Sequence, residues 1–229
     1  MMNWVLALHS FFFPQVCVVC SNLLKRSEAD ICLLCESALP VLPYKFGDGN
    51  PIEQLFYNRV DIKGANAFLS FIDAGKTQKI VHAIKYQSRT ELALLMGKLA
   101  SNSTLLNTPD FKPDLIIPVP MHQSKLLKRG FNQSDFIANG MAMAWQTNID
   151  NTCVKRIVNT NSQTKKTRTQ RVRNVMGIFE VICPEKIKNK TILIVDDVIT
   201  TGATIDSLCT AILKYDPKEV YVYALAFKT

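Results

Sequence analysis

A strand, two adjacent carboxylates, a threonine-glycine turn and a helix follow one another in segment 191–214, which reads TILIVDDVITTGATIDSLCTAILK. Its first five residues are apolar or β-branched, which is typical of a central parallel strand covered on both faces. Asp196 and Asp197 come next, at the carboxyl end of the predicted strand, where open α/β sheets bind their ligands. This order of elements predicts an α/β fold with a ligand site at the end of this strand.

The turn after the two acids has the composition of an anion site. It consists of Thr200, Thr201, Gly202, Ala203 and Thr204. The N-terminus of a helix presents unpaired N–H donors and a partial positive charge, and glycine lets the backbone approach an anion closely. We interpret the turn as a phosphate cradle and the acids as ligands for vicinal hydroxyls or Mg²⁺. The alternative is a strand that ends in a solvated acid pair, with Thr204 as an ordinary helix N-cap.

The rest of the chain alternates between strand-like and helix-like segments. A long amphipathic helix is predicted from Gly75 and Lys76 to about Leu99, and a second helix over Ser134–Trp145. The predicted strands are Ala67–Ile72, Asp114–Val119, Val154–Val158, Gly177–Ile182 and Glu219–Phe227. This alternation predicts a parallel sheet flanked by helices, with the acid-bearing strand near its middle.

Two cysteine pairs near the N-terminus have the spacing of metal ligands. Cys17 and Cys20 form one CxxC pair, and Cys32 and Cys35 form another after eleven intervening residues. Two such turns can direct four sulfurs at one ion, so the pattern predicts a structural Cys₄ zinc site with no open coordination position. A redox pair or a disulfide is the alternative interpretation. The Pro- and Gly-rich stretch 40–51 follows and marks the predicted module boundary.

Composition restricts the class of protein. The chain has 229 residues, of which 48% are hydrophobic and 20% charged, so it can bury a real core. Its net charge of +8 favours phosphate-bearing or polyanionic partners, although solubility alone also accounts for such a charge. The apolar segment Trp4–Phe13 is too short to cross a bilayer and is predicted to be a short helix packed on the protein; contact with a membrane surface or a partner is the alternative.

Several further motifs occur in a characteristic order around these features. They are HAIKY at His82–Tyr86, PVP at Pro118–Pro120, RGFNQS at Arg129–Ser134, SQT at Ser162–Thr164 and RxxNVxGxF at Arg171–Phe179. The segment VDDVITTGAT resembles the 5-phosphoribosyl-1-pyrophosphate (PRPP) motif of type I phosphoribosyltransferases. Together with the cysteine pairs, this order resembles the ComF family, phosphoribosyltransferase-like proteins linked to DNA uptake, over nearly the whole chain.

The resemblance implies a fold, a set of ligands and a location. It implies an N-terminal helix and zinc ribbon over residues 1–50 and a type I phosphoribosyltransferase domain over residues 51–229. It implies binding of PRPP with Mg²⁺, structural Zn²⁺ and a cytoplasmic role in the uptake of single-stranded DNA. Three hypotheses stay open: a PRPP-dependent transferase of unspecified acceptor, a PRPP-sensing protein without transferase activity, and a binder of single-stranded DNA or of the uptake machinery.

The resemblance also suggests roles for individual residues. The loop Val119, Pro120 and Met121 resembles the pyrophosphate loop of this fold, and Lys128 and Arg129 are candidates to meet the pyrophosphate charge. The acid pair would hold the ribose, directly or through Mg²⁺, and stabilise positive charge that develops on it.

A basic segment over residues 159–173 is a candidate flexible loop that closes over PRPP; a solvated loop is the alternative. Its candidate residues are Lys165, Lys166, Arg168 and Arg171. His82 and His122 are candidate general bases, although an ordinary structural or surface role explains each more simply. Tyr86 and Phe131 are candidates to stack on a base, and core packing explains them equally well.

Overall fold

The computed structural model describes residues 14–108, 111–158 and 177–228. Its strands are β1 (Gly64–Ser70), β2 (Leu115–Pro118), β3 (Asn148–Ile149), β4 (Val154–Arg156), β5 (Phe179–Val181), β6 (Thr191–Ile199) and β7 (Glu219–Phe227). Its helices are α1 (Leu33–Ser37), α2 (Pro51–Gln54), α3 (Lys76–Tyr86), α4 (Thr90–Asn107), α5 (Gln123–Arg129), α6 (Gln133–Trp145) and α7 (Ala203–Leu213), with a 3₁₀ turn at Pro184–Lys186.

Five of the strands form one sheet in the order β1–β7–β6–β2–β3, and all of its pairings are parallel. Strand β6 occupies the middle, as its unbroken apolar run predicts. Its first five residues are buried, and helices cover both faces of the sheet. The predicted α/β class and the central place of the acid-bearing strand are therefore confirmed.

Strand β6 is longer than the sequence predicts. It continues through Asp196 and Asp197 to Ile199, because Asp196, Val198 and Ile199 still pair with β7. Only Thr200, Thr201 and Gly202 separate it from α7, whose N-cap is Gly202 rather than Thr204. The two acids are therefore part of the sheet ladder, where regular backbone pairing holds them in place.

The helix predicted from Lys76 to about Leu99 is two helices, and the single-helix prediction is wrong. The break falls at residues 87–89, where Ser88 has a left-handed φ of +54°. An apolar period continues across such a break, because the next helix also turns its apolar face to the core. The polar sequence Gln87-Ser88-Arg89 is the local signal for the interruption.

Helices α4 and α6 cross at two glycines. A Cβ atom on Gly97 would stand 2.1 Å from the carbonyl oxygen of Ile137, and one on Gly140 would stand 2.1 Å from that of Leu94. Only glycine permits such close backbone approach. This contact positions the N-terminus of α6, at Gln133 and Ser134, against the middle of the sheet.

The cysteine module packs on α3. Three side chains bind it: Lys76 donates to the carbonyl of Ala38, Lys79 to that of Val19, and Arg89 pairs with Asp30 at 2.9 Å. The buried cysteines belong to the same apolar cluster as Ile80 and Ile84 of α3. The module and the first helix of the domain therefore share one core, while the boundary near residue 50 stays a prediction.

Strands β4 and β5 form a separate antiparallel pair. Residues 159–176, which connect them, lie outside the described residues, and so do the N-terminal residues 1–13. The predictions for the basic loop and for the apolar N-terminal segment are therefore not addressed by the structure. Within the described ranges, no helix combines the length and the apolar character needed to cross a membrane.

Candidate functional site

The acid pair lies where β6 meets the N-terminus of α6. Asp197 is 7% exposed, and Asp196 is partly exposed. Ser134, in the first turn of α6, donates its hydroxyl to Oδ1 of Asp196 at 3.1 Å, and Gln133 donates its amide to Oδ2 of Asp197. The positive end of the α6 dipole thus faces two carboxylates, which is a favourable arrangement.

Asp197 is also held by a cation from a distant helix. Nζ of Lys85, in the last turn of α3, lies 3.0 Å from Oδ1 of Asp197, and both side chains are largely buried. Each carboxylate oxygen of Asp197 therefore has a protein partner, one Lys85 and the other Gln133. This pairing makes Asp197 the more rigidly fixed acid, whereas Asp196 is the more accessible one.

The environment of Asp196 disfavours its charge. Burial, and then the neighbouring charge of Asp197, raise the pKa of Asp196 to about 7, although its hydrogen bonds and Lys85 act in the opposite direction. A bound cation would offset both causes. The charged form of Asp196 is therefore the one that a metal ion or a hydroxyl donor would stabilise.

This raised pKa predicts a pH-dependent stability difference between the wild type and Asp196→Asn. Between pH 4 and 7 the folded state binds a proton at Asp196 that the unfolded state releases, so the free energy of unfolding falls as pH rises through this range. Asparagine lacks this titration. In urea unfolding, the free energy of unfolding of Asp196→Asn should rise relative to that of the wild type from pH 5 to pH 8. The free energy of unfolding of Asp61→Asn, a change at an exposed acid, should differ from that of the wild type by the same amount at each pH. A constant difference for Asp196→Asn would contradict the assigned pKa.

The turn after β6 encloses a small cavity of about 50 Å³, which Asp196 also lines. Gly202 has a φ of +72°, and a Cβ there would stand 3.0 Å from the ring of Phe56. Arg59 donates to the carbonyl of Thr201 and forms a two-point pair with Asp206 in the first turn of α7. Arg59 therefore holds the backbone of the turn, while the threonine side chains of the turn are exposed or partly exposed.

The loop after β2 is only in part available to a ligand. The N–H of Val119 donates to the carbonyl of Val195, and Asn132 donates to the carbonyl of Val119. Pro120 and Met121 are half-buried, and Pro120 has no N–H. Val119 therefore serves the fold through both of its backbone groups, and its predicted contact with pyrophosphate stays a prediction.

Four cations gather around the acid pair. Burial lowers the pKa of Lys125, and so do the nearby charges of Arg156, Arg129 and Lys85. Burial also lowers the pKa of Arg156, while the charge of Asp196 acts in the opposite direction. A concentration of positive charge beside two carboxylates suits a ligand with several phosphate groups. Lys128, by contrast, is exposed at the end of α5.

Arg129 is held in place by two contacts. Its Nη1 lies 2.5 Å from Oε1 of Gln133, and its guanidinium carbon lies 5.7 Å from the centroid of the Tyr86 ring. Because Gln133 also contacts Asp197, the Arg129 side chain and the acid pair belong to one network.

Sequence reasoning missed several residues of this site. Lys85, Gln133 and Ser134 stand inside the motifs HAIKY and RGFNQS, which were the available signal, but they received no role there. Lys125 begins the basic stretch Lys125–Arg129, for which a solvated face was the alternative, and Arg156 had no comparable signal. Of the candidate bases, His122 caps α5 through its Nδ1, and His82 lies exposed with its ring 4.9 Å from that of Tyr86. The loop candidates Lys165, Lys166, Arg168 and Arg171 lie outside the described residues.

The four cysteine sulfurs of the N-terminal module converge. Their Sγ atoms all lie within 4.8 Å of one another, and those of Cys20 and Cys32 are 3.7 Å apart. Tetrahedral zinc with bonds of about 2.3 Å separates its sulfurs by about 3.8 Å, so the donor set fits such an ion. Burial alone would raise the pKa of Cys17, but backbone N–H groups that point at its sulfur lower it to about 6. Cys17 is therefore suited to hold a thiolate, whereas burial and the neighbouring cysteines raise the pKa of Cys35.

A parallel sheet with paired acids and a threonine-glycine turn at one strand end is the architecture of a phosphoribosyltransferase domain. The family model for the phosphoribosyl transferase domain matches residues 90–229, which is more than half of the chain. The chain therefore belongs to the phosphoribosyl transferase domain family, and within it to the ComF-like proteins.

Two curated relatives and one solved structure illustrate the similarity. "DNA utilization protein YhgH" of Escherichia coli (strain K12) is 30% identical over 149 residues, which are 64% of this chain and 65% of that protein. "Competence protein F" of Haemophilus influenzae is 23% identical over 224 residues, covering 94% of this chain and 98% of that protein. The glutamine PRPP amidotransferase from B. subtilis is 18% identical, with a TM-score of 0.44, over 63% of this chain and 30% of its own.

Proposed function

We propose that this protein binds PRPP with Mg²⁺ at the end of β6 and acts as a phosphoribosyltransferase. The observation that carries the proposal is the acid pair, which is fixed by α6 and Lys85 and lies beside a braced threonine-glycine turn. In this assignment Thr200, Thr201, Gly202, Ala203 and Thr204 hold the 5-phosphate. The N-terminus of α7 supplies the positive end of a helix dipole at the same place.

The two acids would have different roles at the ribose. Asp196, the more accessible carboxylate, would accept from a ribose hydroxyl or contribute an oxygen to Mg²⁺, and Asp197 would hold the geometry through Lys85 and Gln133. Both are candidate catalytic residues, because a carboxylate near the ribose stabilises positive charge that develops there. When bound, Mg²⁺ would shield the charge of the pyrophosphate.

The reaction would exchange one bond at C1 of the ribose. The C1–O bond breaks and its electron pair leaves with pyrophosphate, while a nucleophilic atom of the acceptor forms the new bond to C1 and then loses a proton. Arg129 and Lys128 are the candidates to meet the leaving charge, with Lys85, Lys125 and Arg156 adding to the positive field. The loop of Val119, Pro120 and Met121 would contact the same group.

The cysteine cluster would hold Zn²⁺ in a structural role. Four sulfurs fill a tetrahedral shell and leave no position for substrate, so the ion would stabilise the module rather than take part in the transfer.

The test is calorimetry of PRPP in the presence of Mg²⁺ with the double variant Asp196→Asn/Asp197→Asn. Asparagine keeps the shape of both side chains but removes the negative charge, so PRPP affinity should fall at least thirtyfold, about 2 kcal/mol. Circular dichroism should confirm that the variant stays folded, and Asp61→Asn, which is exposed, should bind like the wild type. Equal binding by the double variant would refute the site.

A second candidate function is binding of DNA, favoured by the net charge of +8 and by the name of one relative, the DNA utilization protein YhgH. Single-stranded DNA should then bind with an affinity that falls steeply with salt, since cations displace counterions from phosphates. Release of pyrophosphate with a panel of bases, amines and oligonucleotides separates a transferase from a protein that only senses PRPP. A role in DNA uptake, contact with the uptake machinery and a cytoplasmic location stay predictions.

A further inference from the structure

Tyr86 is an aromatic side chain that the core does not use. It ends α3, its side chain is 68% exposed, and core packing therefore does not explain it. It directly follows Lys85, whose Nζ contacts Asp197. The same turn of α3 therefore carries the exposed ring and a partner of the acid pair. Exposed tyrosines are ordinary when they stand alone. This one stands among charged and planar groups that are themselves held in position.

Two planar groups flank the ring. The guanidinium of Arg129 lies 5.7 Å from its centroid, and the imidazole of His82 lies 4.9 Å from it at an angle of 46°. Arg129 is fixed by its 2.5 Å hydrogen bond to Gln133, which in turn donates to Asp197. A continuous chain of contacts therefore runs from the acid pair to the exposed ring.

The charge around the ring suits a ligand that combines an aromatic ring with phosphate. Lys125 lies close enough to Arg129 and Lys85 for their charges to lower its pKa. Aromatic rings interleaved with cations form the stacking surfaces on which proteins hold unpaired bases. His82, Lys85 and Tyr86 all lie on α3, and the fold brings Arg129, at the end of α5, beside them.

We infer that Tyr86, with Arg129 and His82 beside it, is a stacking platform for a nucleobase ring at the mouth of the phosphoribosyl site. The base can belong to a free nucleobase that accepts the ribose or to a single-stranded nucleic acid; the shared chemistry is a planar heteroaromatic ring. The inference rests on the proposed function for the role of the platform, which would orient the acceptor beside C1 of the ribose.

The experiment compares Tyr86→Leu and Tyr86→Phe with the wild type. Fluorescence anisotropy measures binding of a labelled ten-residue oligothymidylate, and calorimetry measures binding of free adenine, both with PRPP and Mg²⁺ present. Stacking contributes about 1–3 kcal/mol per base, so Tyr86→Leu should weaken binding of at least one probe by about 5- to 150-fold. Tyr86→Phe should stay within threefold of the wild type.

Three controls make the result specific. Tyr57→Leu removes another tyrosine that is 56% exposed and should leave both probes unaffected. The ratio between Tyr86→Leu and the wild type should hold at 50 and 200 mM salt, since stacking releases no counterions. PRPP affinity should stay within twofold in Tyr86→Phe, which keeps the ring beside Arg129. In Tyr86→Leu the hydrogen bond to Gln133 still holds Arg129, so PRPP affinity should fall by less than the affinity for the probes.

The outcomes separate the platform from the PRPP site. A loss confined to adenine assigns the platform to a free acceptor, and a loss confined to the oligonucleotide assigns it to a single strand. Equal binding of both probes by Tyr86→Leu and the wild type, or no binding of either probe by the wild type, would overturn the inference. Tyr86-dependent binding in a protein that does not bind PRPP would contradict the proposed function and leave the platform standing.

Discussion

Replacement of Cys17 by serine is expected to unfold the N-terminal module and to weaken PRPP binding. Cys17 is 1% exposed, and its sulfur accepts from the N–H groups of Val19 and Cys32, so it is central to the proposed metal site. Structural zinc contributes about 10–16 kcal/mol in small zinc modules, and a serine hydroxyl is a poor substitute for a thiolate. The variant should lose its bound zinc and become sensitive to protease between residues 14 and 40.

The effect on PRPP follows from the shared core with α3. Once the module unfolds, α3 loses the carbonyl partners of Lys76 and Lys79, and Arg89, just after α3, loses its pairing with Asp30. Since α3 carries Lys85, we expect the contact of Lys85 with Asp197 to loosen and PRPP affinity to fall about three- to tenfold. Wild-type protein that is stripped of zinc with a chelator and then freed of the chelator before Mg²⁺ and PRPP are added should show the same change.

The matched control is Cys183→Ser, which changes a partly exposed cysteine outside the cluster. It should keep zinc, protease resistance and PRPP affinity. Reducing agent alone should have no effect on the wild type, because thiolates bound to a metal contain no disulfide to reduce. Wild-type protein that lacks zinc and changes on reduction would favour the redox interpretation of the cysteine pairs.

The second large effect is expected at the crossing of α4 and α6. In Gly140→Ala the new methyl group would stand 2.1 Å from the carbonyl oxygen of Leu94, so the helices must separate. Overpacking costs about 1–3 kcal/mol and more where backbone must move, while alanine regains up to about 1 kcal/mol of helix propensity. We expect a net loss of about 2–3 kcal/mol, measured by urea unfolding, and a lower melting temperature.

The same displacement should affect ligand binding. The N-terminus of α6 presents Gln133 and Ser134 to the acid pair, so a shifted helix should also lower PRPP affinity. Met143→Ala, at a residue that is 60% exposed on the same helix, should change stability by about 0.5 kcal/mol or less.

A double variant, Gly97→Ala/Gly140→Ala, tests whether the two glycines serve one contact. Once one methyl group has forced the helices apart, the second meets less resistance, so the double variant should cost less than the sum of the single changes. Additive costs would show that the two glycines serve independent contacts, and a Gly140→Ala protein as stable as the wild type would show that the helices separate without cost.

The strand and the turn of the site could be predicted from the sequence because the residues that define them are consecutive. The apolar run of β6, the adjacent acids and the glycine before α7 occupy consecutive positions, and each has a direct physical meaning. The convergence of four cysteine sulfurs follows from two pairs with regular spacing. The break between α3 and α4 was not recognised, because both helices bury faces of similar period and the interruption is short.

The partners of the acid pair could not be predicted from the sequence in this way. Lys85 stands more than a hundred residues before Asp197, and Ser134 is 62 residues from Asp196. Such pairs form because α3 and α6 pack on the central sheet, and this packing depends on contacts such as the glycine crossing at Gly97 and Gly140. The sequence therefore identifies the acidic residues of the site but not the side chains that contact them.

The sequence by itself determined the α/β class, the acids and turn at the end of one strand, and the cysteine cluster, because each depends on residues close together in the chain. Only the tertiary structure decided that Asp197 is paired with Lys85, that the cysteine module packs on the helix carrying that lysine, and that Tyr86 faces solvent beside Arg129. The physical reason is that burial and ion pairing depend on how whole helices pack, and local sequence does not encode that arrangement.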